Sequence, residues 1–146
     1  MSTDDLDREQ LRAGGRSLRA RAQGKKHETL QGILNGYDRG MGGFVDEFVF
    51  GQVWARPGLT FEERMLVAIT ALAATEHPNQ LRNYLHGALQ DGVPASKIHE
   101  IVVMLTVYCG FPTALEAMTE WQSVLASARK QGMALDIDQE PESSEG

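Results

Sequence analysis

The chain has 146 residues, 42% hydrophobic and 23% charged, which is enough for one domain with a core and too few for two. Its formal net charge of −6 is carried mostly by residues 131–146, which hold five acidic residues and no Lys or Arg. This charge balance offers no basic patch for nucleic acid, and no apolar run is long enough to span a membrane. The single cysteine excludes an intramolecular disulfide, so the sequence predicts a soluble cytoplasmic protein.

The first predicted helix, over about residues 4–23, is strongly charged and carries few apolar side chains. Gly14 and Gly15 lie in its middle, where each glycine costs about 1 kcal/mol relative to alanine, so we expect a break or fraying there. Residues 1–24 are therefore interpreted as an N-terminal arm or cover, with a neighbouring subunit as one candidate partner.

Residues 25–130 are predicted to form a single helical domain. The spacing of apolar residues predicts a short helix over residues 27–37, a glycine-marked loop over 36–43 and a helix over 44–54. Pro57 and Gly58 lie shortly after this segment, and this pair is expected to end the helix.

The next two helices have recognisable ends. Thr60 and Glu63 form the pattern of a capping box at the start of one helix. The following helix is expected to begin at Pro78, since a first helical position suits a residue without an N–H, and to end at Gly92.

The last part of the domain is more apolar. The run from Ile98 to Tyr108 has almost no polar side and predicts a helix buried all round. A final amphipathic helix is predicted over residues 112–130, followed by an acidic, disordered tail over 131–146. The sequence therefore predicts an all-α fold of about six or seven helices.

Four stretches, in this order and at this spacing, carry a resemblance to a known family: Trp54-Ala55-Arg56-Pro57-Gly58-Leu59, Glu63-Arg64 with the apolar helix behind it, Gly87-Ala88-Leu89-Gln90-Asp91-Gly92, and Val107-Tyr108-Cys109-Gly110-Phe111-Pro112. Over about half of its length the chain resembles the carboxymuconolactone decarboxylase family. The resemblance implies an all-α, alkylhydroperoxidase D-like protomer that assembles into homotrimers or homohexamers.

The family has two branches, and the cysteine count separates them. The peroxidase-like branch uses a Cys-x-x-Cys pair followed by histidine, whereas this chain has only Cys109. The resemblance is thus to the decarboxylase-like branch, which removes a carboxylate from an unsaturated lactone diacid in aromatic-compound catabolism without a cofactor. Such a site must hold a small anionic substrate, stabilise the dienolate left by carbon dioxide, and deliver a proton to carbon.

The chain departs from the family pattern at one position. Eight residues before the helix-ending Gly92 the family usually has histidine, and this chain has Tyr84. His86 lies two positions further on, which is a rotation of about 200° around a helix, so it cannot replace the missing histidine. This departure indicates that the substrate of this chain is a chemical relative of the family's usual substrate.

The candidate catalytic residues are Glu63, Tyr84, His86 and Cys109, and each has an alternative structural role. Glu63 is explained well by the capping box, and only the family resemblance gives it a functional role, whereas Tyr84 could equally belong to the apolar face of its helix. His86 shares a polar face with Arg82 and suits solvent or a subunit interface, and Cys109 suits a buried, inert thiol.

The candidate substrate-binding residues are Trp54, Arg56, Arg64 and Tyr108. The two arginines would bind carboxylates through their guanidinium groups, and the two aromatic residues would form the walls of the pocket. Trp54 and Arg56 could instead serve the packing of a rigid turn, and Arg64 could instead pair with a surface acid. The four histidines of the chain show no metal-ligand spacing, so no metal is predicted.

The sequence leaves three hypotheses for function. The first is a cofactor-independent lyase or isomerase of the carboxymuconolactone decarboxylase type, in which Glu63 or Tyr84 moves the proton. The second is a non-catalytic, oligomeric member that binds a ligand or partner. The third, a thiol peroxidase, requires Cys109 to pair between subunits.

Overall fold

The computed structural model describes the backbone of residues 3–139 and the side chains of residues 7–139. Within this range every element of secondary structure is a helix and there is no strand, which confirms the predicted all-α fold. The main elements, in chain order, are α1 (Thr3–Gln23), α2 (His27–Tyr37), α3 (Met41–Phe44), a π-helix (Val45–Trp54), α4 (Phe61–Ala74), α5 (Pro78–Gln90), α6 (Ala95–Tyr108) and α7 (Phe111–Lys130). Short 3₁₀ turns cover Gly24–Lys26 and Asp136–Asp138.

The hydrophobic core is formed mainly by α4 to α7. One apolar face of each helix points inward, and the largest side chains that are fully buried there include Ile69, Leu85, Ile98 and Trp121. This arrangement follows from the helical spacing of apolar residues along the sequence.

The predicted start of α4 and the predicted start and end of α5 are confirmed. The hydroxyl of Thr60 accepts a hydrogen bond from the backbone N–H of Glu63 at 3.1 Å, and the Glu63 carboxylate accepts one from the N–H of Thr60 at 2.9 Å. Pro78 is the first residue of α5, and Gly92 just beyond its end has a φ of 93°, which favours glycine.

The predicted break at Gly14 and Gly15 is wrong, since α1 runs through both residues without interruption. Gly15 instead allows α1 to approach the π-helix, because a Cβ atom there would lie 1.7 Å from the carbonyl oxygen of Asp46. The expected arm packs against its own chain, and it buries Arg19 and Ala22 despite its charged composition.

The predicted helix over residues 44–54 forms mostly as a π-helix, and α3 begins inside the predicted glycine loop. Hydrogen bonds from i to i+5 widen each turn, so the apolar residues do not follow the face that α-helical spacing predicts. Phe48 is 59% exposed, whereas the polar Asp46 is buried. This exchange of faces brings a carboxylate under α1.

The prediction that α6 is buried all round is also wrong. Its inner face, with Ile98, Val102 and Leu105, is buried, but Val107 and Tyr108 are 76% and 80% exposed. A face of large apolar residues is therefore left uncovered in a single chain.

The start of the predicted acidic tail is packed against the domain. Leu135 is buried, Asp136 accepts hydrogen bonds from the backbone N–H and the hydroxyl of Ser96, and Asp138 pairs with Arg129. The rest of that prediction falls on residues 140–146, outside the described residues. Across residues 3–139 no helix combines the length and the apolar character needed to cross a membrane.

Candidate active site

Four aromatic rings meet where the π-helix, α4 and α5 converge. Trp54 ends the π-helix, and its ring centroid lies 5.1 Å from that of Phe50, 5.7 Å from that of Phe61 and 6.1 Å from that of Tyr84. All three contacts are tilted, which is a favourable arrangement for aromatic rings. The fold thus brings together two residues that the sequence analysis selected separately, Trp54 and Tyr84.

Tyr84 carries the polar group of this aromatic cluster. Burial raises the pKa of its hydroxyl, while hydrogen bonding by Gln23 and the positive charge of Arg19 act in the opposite direction. The hydroxyl is therefore protonated at neutral pH, and the two α1 residues would support the phenolate if the proton were given away. Gln23 and Arg19 are functional candidates that the sequence analysis missed.

The C-terminal end of α1 closes over the same cluster. The guanidinium carbon of Arg21 lies 3.9 Å from the centre of the Phe61 ring, and two of its nitrogens donate to the Asp91 carboxylate at 3.0 Å each. A Cβ atom on Gly87 of α5 would lie 1.8 Å from the carbonyl oxygen of Ala22, so the backbones are in close contact. This contact covers the Tyr84 face of α5.

Arg56 and Arg64 are joined directly. Nη2 of Arg64 donates to the carbonyl oxygen of Arg56 at 2.6 Å and so fixes the connection between the π-helix and α4. Nε of Arg64 is buried and has no hydrogen-bond partner among the described residues. The Arg56 side chain itself is exposed. Of the two, Arg64 has the unused donor that a substrate carboxylate could accept from.

Glu63 and His86 differ from Tyr84 in their surroundings, because each has its pKa lowered whereas that of Tyr84 is raised. Hydrogen bonds from Thr60 keep the pKa of Glu63 below its usual value, so this exposed carboxylate stays ionised and serves the helix cap. Burial lowers the pKa of the half-buried His86, and the positive charges of Lys26 and Arg82 lower it further. His86 is thus a neutral imidazole at neutral pH.

Tyr108 is the last residue of α6 and Cys109 follows it, where the chain turns from α6 into α7. Tyr108 is 80% exposed, and the half-buried Cys109 packs against the core. Their side chains make no hydrogen bond or ring contact with the other six candidates in the described part of the chain. Across the same residues, no three His, Cys, Asp or Glu side chains are grouped in a way that could hold a metal ion.

A separate cleft of about 340 Å³ lies between the end of α4, the start of α5 and α7. Its floor is apolar, with Leu72 and Leu81, and its rim carries the carboxylates of Glu76, Glu116 and Glu120. None of the eight candidate residues lines it. A rim of carboxylates is unsuited to an anionic substrate, so the chemistry expected of the chain is better placed at the aromatic cluster.

Comparison with known proteins gives three findings. The model of the Carboxymuconolactone decarboxylase family matches residues 40–123. The chain is 31% identical over 115 residues to the 4-carboxymuconolactone decarboxylase of Acinetobacter baylyi, a match covering 77% of this chain and 85% of that protein. It is 33% identical over 81 residues to the nitrosuccinic acid decarboxylase of Metarhizium robertsii, covering 56% and 57% respectively. The family match includes all eight candidate residues, whereas α1 and α2 precede it.

Proposed function

Because the chain belongs to the carboxymuconolactone decarboxylase family, we propose that it is a cofactor-independent lyase that decarboxylates a small anionic unsaturated lactone or acid. Both relatives described above are named decarboxylases, and this supports a decarboxylase-like function for the chain. The lactone named for the Acinetobacter protein is the first substrate to test, and nitrosuccinic acid is the second. On the first, the protein would act in aromatic-compound catabolism.

The observation that carries the proposal is the protonated Tyr84 hydroxyl beside Trp54 in a largely buried aromatic cluster. In such a reaction the bond between the substrate carbon and its carboxylate breaks, carbon dioxide leaves, and the electron pair stays on the substrate as a delocalised anion. A neutral phenol is suited to give its proton to that carbon. The resulting phenolate is supported by Gln23 and Arg19 and would be reprotonated from water.

The remaining candidates have supporting roles in this proposal. Arg64 would bind a substrate carboxylate through its buried, unpartnered Nε, and Trp54 would form the wall against the unsaturated part of the substrate. The ionised Glu63 is a poor proton donor, so Tyr84 is the better choice of the two acids that the sequence offers. Roles for Arg56, His86, Tyr108 and Cys109 stay predictions.

The test is an assay of carbon dioxide release by the purified protein, with Tyr84→Phe as the main variant. Removing a general acid lowers the rate by about 100-fold or more, so we expect at least that loss in kcat. Tyr37→Phe is the matched control, since Tyr37 is 77% exposed on α2 and should turn over like wild type. A Tyr84→Phe enzyme with the wild-type rate would exclude Tyr84 as the proton donor.

Tyr84→His adds information about the substrate. If the wild type fails on 4-carboxymuconolactone and Tyr84→His gains activity, the scaffold is that of the family and the substrate has changed. If neither protein releases carbon dioxide from either acid while both remain folded, the decarboxylase proposal is wrong for these substrates, and the non-catalytic hypothesis becomes the better one.

We further propose that the chain forms a homotrimer or homohexamer through the outer face of α6 and the start of α7. Six large apolar side chains are 41–80% exposed there: Val103, Met104, Val107, Tyr108, Phe111 and Leu115. Exposed apolar patches of this kind mark association surfaces. Light scattering after size-exclusion chromatography should show an oligomer for the wild type and a smaller species for Val107→Asp. A monomeric wild type at micromolar concentration would contradict the proposal.

A further inference from the structure

A second, polar cavity of about 320 Å³ lies between α1, α2 and the π-helix. It is lined by Arg16, Arg19, His27, Glu28, Gln31 and Asp46. None of the eight candidates for the active site lines this cavity, although Arg19 also acts on the Tyr84 hydroxyl and the π-helix that supplies Asp46 ends at Trp54. The π-helix that supplies Asp46 is itself a rare element and is frequently found at functional sites.

Arg19 is the central residue of this cavity and is only 2% exposed. Its Nη1 donates to Oδ1 of Asp46 at 3.2 Å and to the side-chain oxygen of Gln31, and its Nε donates to Oε1 of Gln23 at 3.0 Å. Its Nη2 is buried and has no partner among the described residues. A buried donor without an acceptor is costly, so this nitrogen calls for an acceptor from outside the chain.

The charges around the cavity indicate what this acceptor is. Asp46 is engaged on both oxygens, by Arg19 at Oδ1 and by Arg16 at Oδ2, where Nε of Arg16 lies 3.9 Å away. His27 is held through Nδ1, which bonds to the carbonyl oxygen of Gly24 at 3.0 Å. Glu28 is the other carboxylate that lines the cavity, and it is exposed. The unused donors are therefore guanidinium N–H groups, whose planar geometry matches a carboxylate.

We propose that this cavity binds a small organic carboxylate, with Nη2 of Arg19 as its main donor and Arg16 as its second. The volume is at the lower end of the range for ligand pockets and suits an acid of a few carbon atoms. Because Glu28 and Asp46 lie in the same cavity, a singly charged carboxylate group is favoured over a doubly charged phosphate. The proposal does not depend on the proposed decarboxylation, since binding can be measured without turnover.

The probe is propanoate, a monocarboxylate, titrated at constant ionic strength with sodium chloride as the balancing salt. We expect saturable binding by calorimetry, together with saturable shifts of the backbone amide NMR signals of Gln31 and Asp46. Shifts at Gln31 and Asp46 without shifts at the Trp54 indole would separate this cavity from the proposed active site. Shifts centred on the Trp54 indole, equal effects of chloride alone, or no saturable binding would each overturn the proposal.

Arg19→Lys is the decisive variant, because it keeps a positive charge beside Asp46 and removes the planar guanidinium. Loss of one charge-assisted hydrogen bond weakens binding by about tenfold or more, and we expect that loss for Arg19→Lys. Arg12→Lys is the matched control on the same helix, since Arg12 pairs with Glu47 outside the cavity, and this variant should bind propanoate like wild type. Unchanged affinity in Arg19→Lys would contradict the assignment.

A second variant keeps the test decisive if Arg19→Lys fails to fold. Arg16 is 69% exposed, so Arg16→Gln should fold normally and still remove one of the two proposed donors. We expect it to weaken propanoate binding several-fold. Wild-type affinity in a folded Arg16→Gln protein, together with the loss of folding in Arg19→Lys, would assign a purely structural role to this cluster and overturn the proposal.

Discussion

The contact between α1 and the π-helix and the packing of α4 to α7 are built in different ways. The four later helices bury large apolar side chains such as Leu85, Ile98 and Trp121. The contact of α1 is made by glycines at close backbone approach and by arginines paired with carboxylates. The apolar packing of α4 to α7 can be predicted from the spacing of apolar residues along each helix. The polar contact of α1 with the π-helix depends on residues that are far apart in the sequence.

The difference has an energetic consequence. In the apolar half, the packing of α4 to α7, removing one methylene leaves a small void and costs about 1 kcal/mol. In the polar half, the contact of α1 with the π-helix, Arg19 and Asp46 are both nearly fully buried. Removing Arg19 leaves Asp46 with only the more distant Arg16 among the described residues, and removing Asp46 leaves Arg19 without a carboxylate there, in a medium that solvates charge poorly. The polar half should therefore be the more sensitive to single substitutions, although it buries less apolar surface.

Arg19→Met should show the largest effect. It removes the partner of a buried carboxylate, and breaking such a pair costs about 3–5 kcal/mol of the free energy of unfolding. The double variant Arg19→Met/Asp46→Leu removes both charges and should recover most of that loss. Urea unfolding of the wild type, both single variants and the double variant measures the coupling. Additive losses in the double variant would show that the two side chains do not act as a pair.

Gly15→Ala should have the next largest effect, because its Cβ atom would meet the backbone oxygen of Asp46 at 1.7 Å. Backbone cannot move away as a side chain can, so we expect a loss of about 2–3 kcal/mol, as for other overpacked contacts. Gly14→Ala is the matched control, since nothing lies within 4 Å of its Cβ position, and it should stabilise α1 by about 1 kcal/mol. Equal effects of the two variants in urea unfolding would contradict the close-contact role of Gly15.

These two glycines show where sequence reasoning stops. Helix propensity treats Gly14 and Gly15 alike, and it therefore predicted a break that the structure does not have. Local signals, by contrast, located the ends of α4 and α5 correctly, because a capping box and a first-turn proline act within a few residues. The all-α fold followed from the same local patterns.

The candidate site divides in a similar way. Trp54 and Tyr84 were selected from motifs, and the fold places their rings 6.1 Å apart. Gln23 and Arg19, which act on the Tyr84 hydroxyl, were not found, because they lie more than 60 residues earlier in a helix interpreted as an arm. Tyr108 was expected as a pocket wall and is exposed at the end of α6. A local pattern in the sequence cannot predict contacts between residues that lie this far apart along the chain.

Ile98→Val tests the apolar half with a smaller change. Ile98 is fully buried in α6, and the loss of one methylene from such a site costs about 1 kcal/mol. Because no charge is involved, the loss measured by urea unfolding should be the same at low and high salt. A loss as large as that of Arg19→Met would mean that the two halves do not differ in sensitivity, and that the core tolerates voids no better than unpaired charges.

The smallest effect is expected at a polar contact that is exposed. The hydroxyl of Ser96 hydrogen-bonds to Asp136, and bonding from Ser96 lowers the pKa of this carboxyl below its usual value. Because the folded-state pKa is depressed, the contribution to stability is complete above the unfolded pKa of about 3.9 and is lost as the pH falls through the lower, folded value. Ser96→Ala should therefore cost at most about 0.5 kcal/mol at pH 7, since solvent screens the contact.

As the pH falls below the unfolded pKa of about 3.9, the difference between Ser96→Ala and wild type should shrink progressively as Asp136 becomes protonated in both proteins. Urea unfolding at pH 7, 4 and 3 measures this change, and a difference that stays constant or grows towards acid pH would contradict the ionised contact. The comparison with Arg19→Met is direct, because each variant removes one partner of a carboxylate. A difference of several kcal/mol between them would then reflect burial, since solvent can hydrate the exposed Asp136 in place of its lost partner, whereas Asp46 is only 2% exposed.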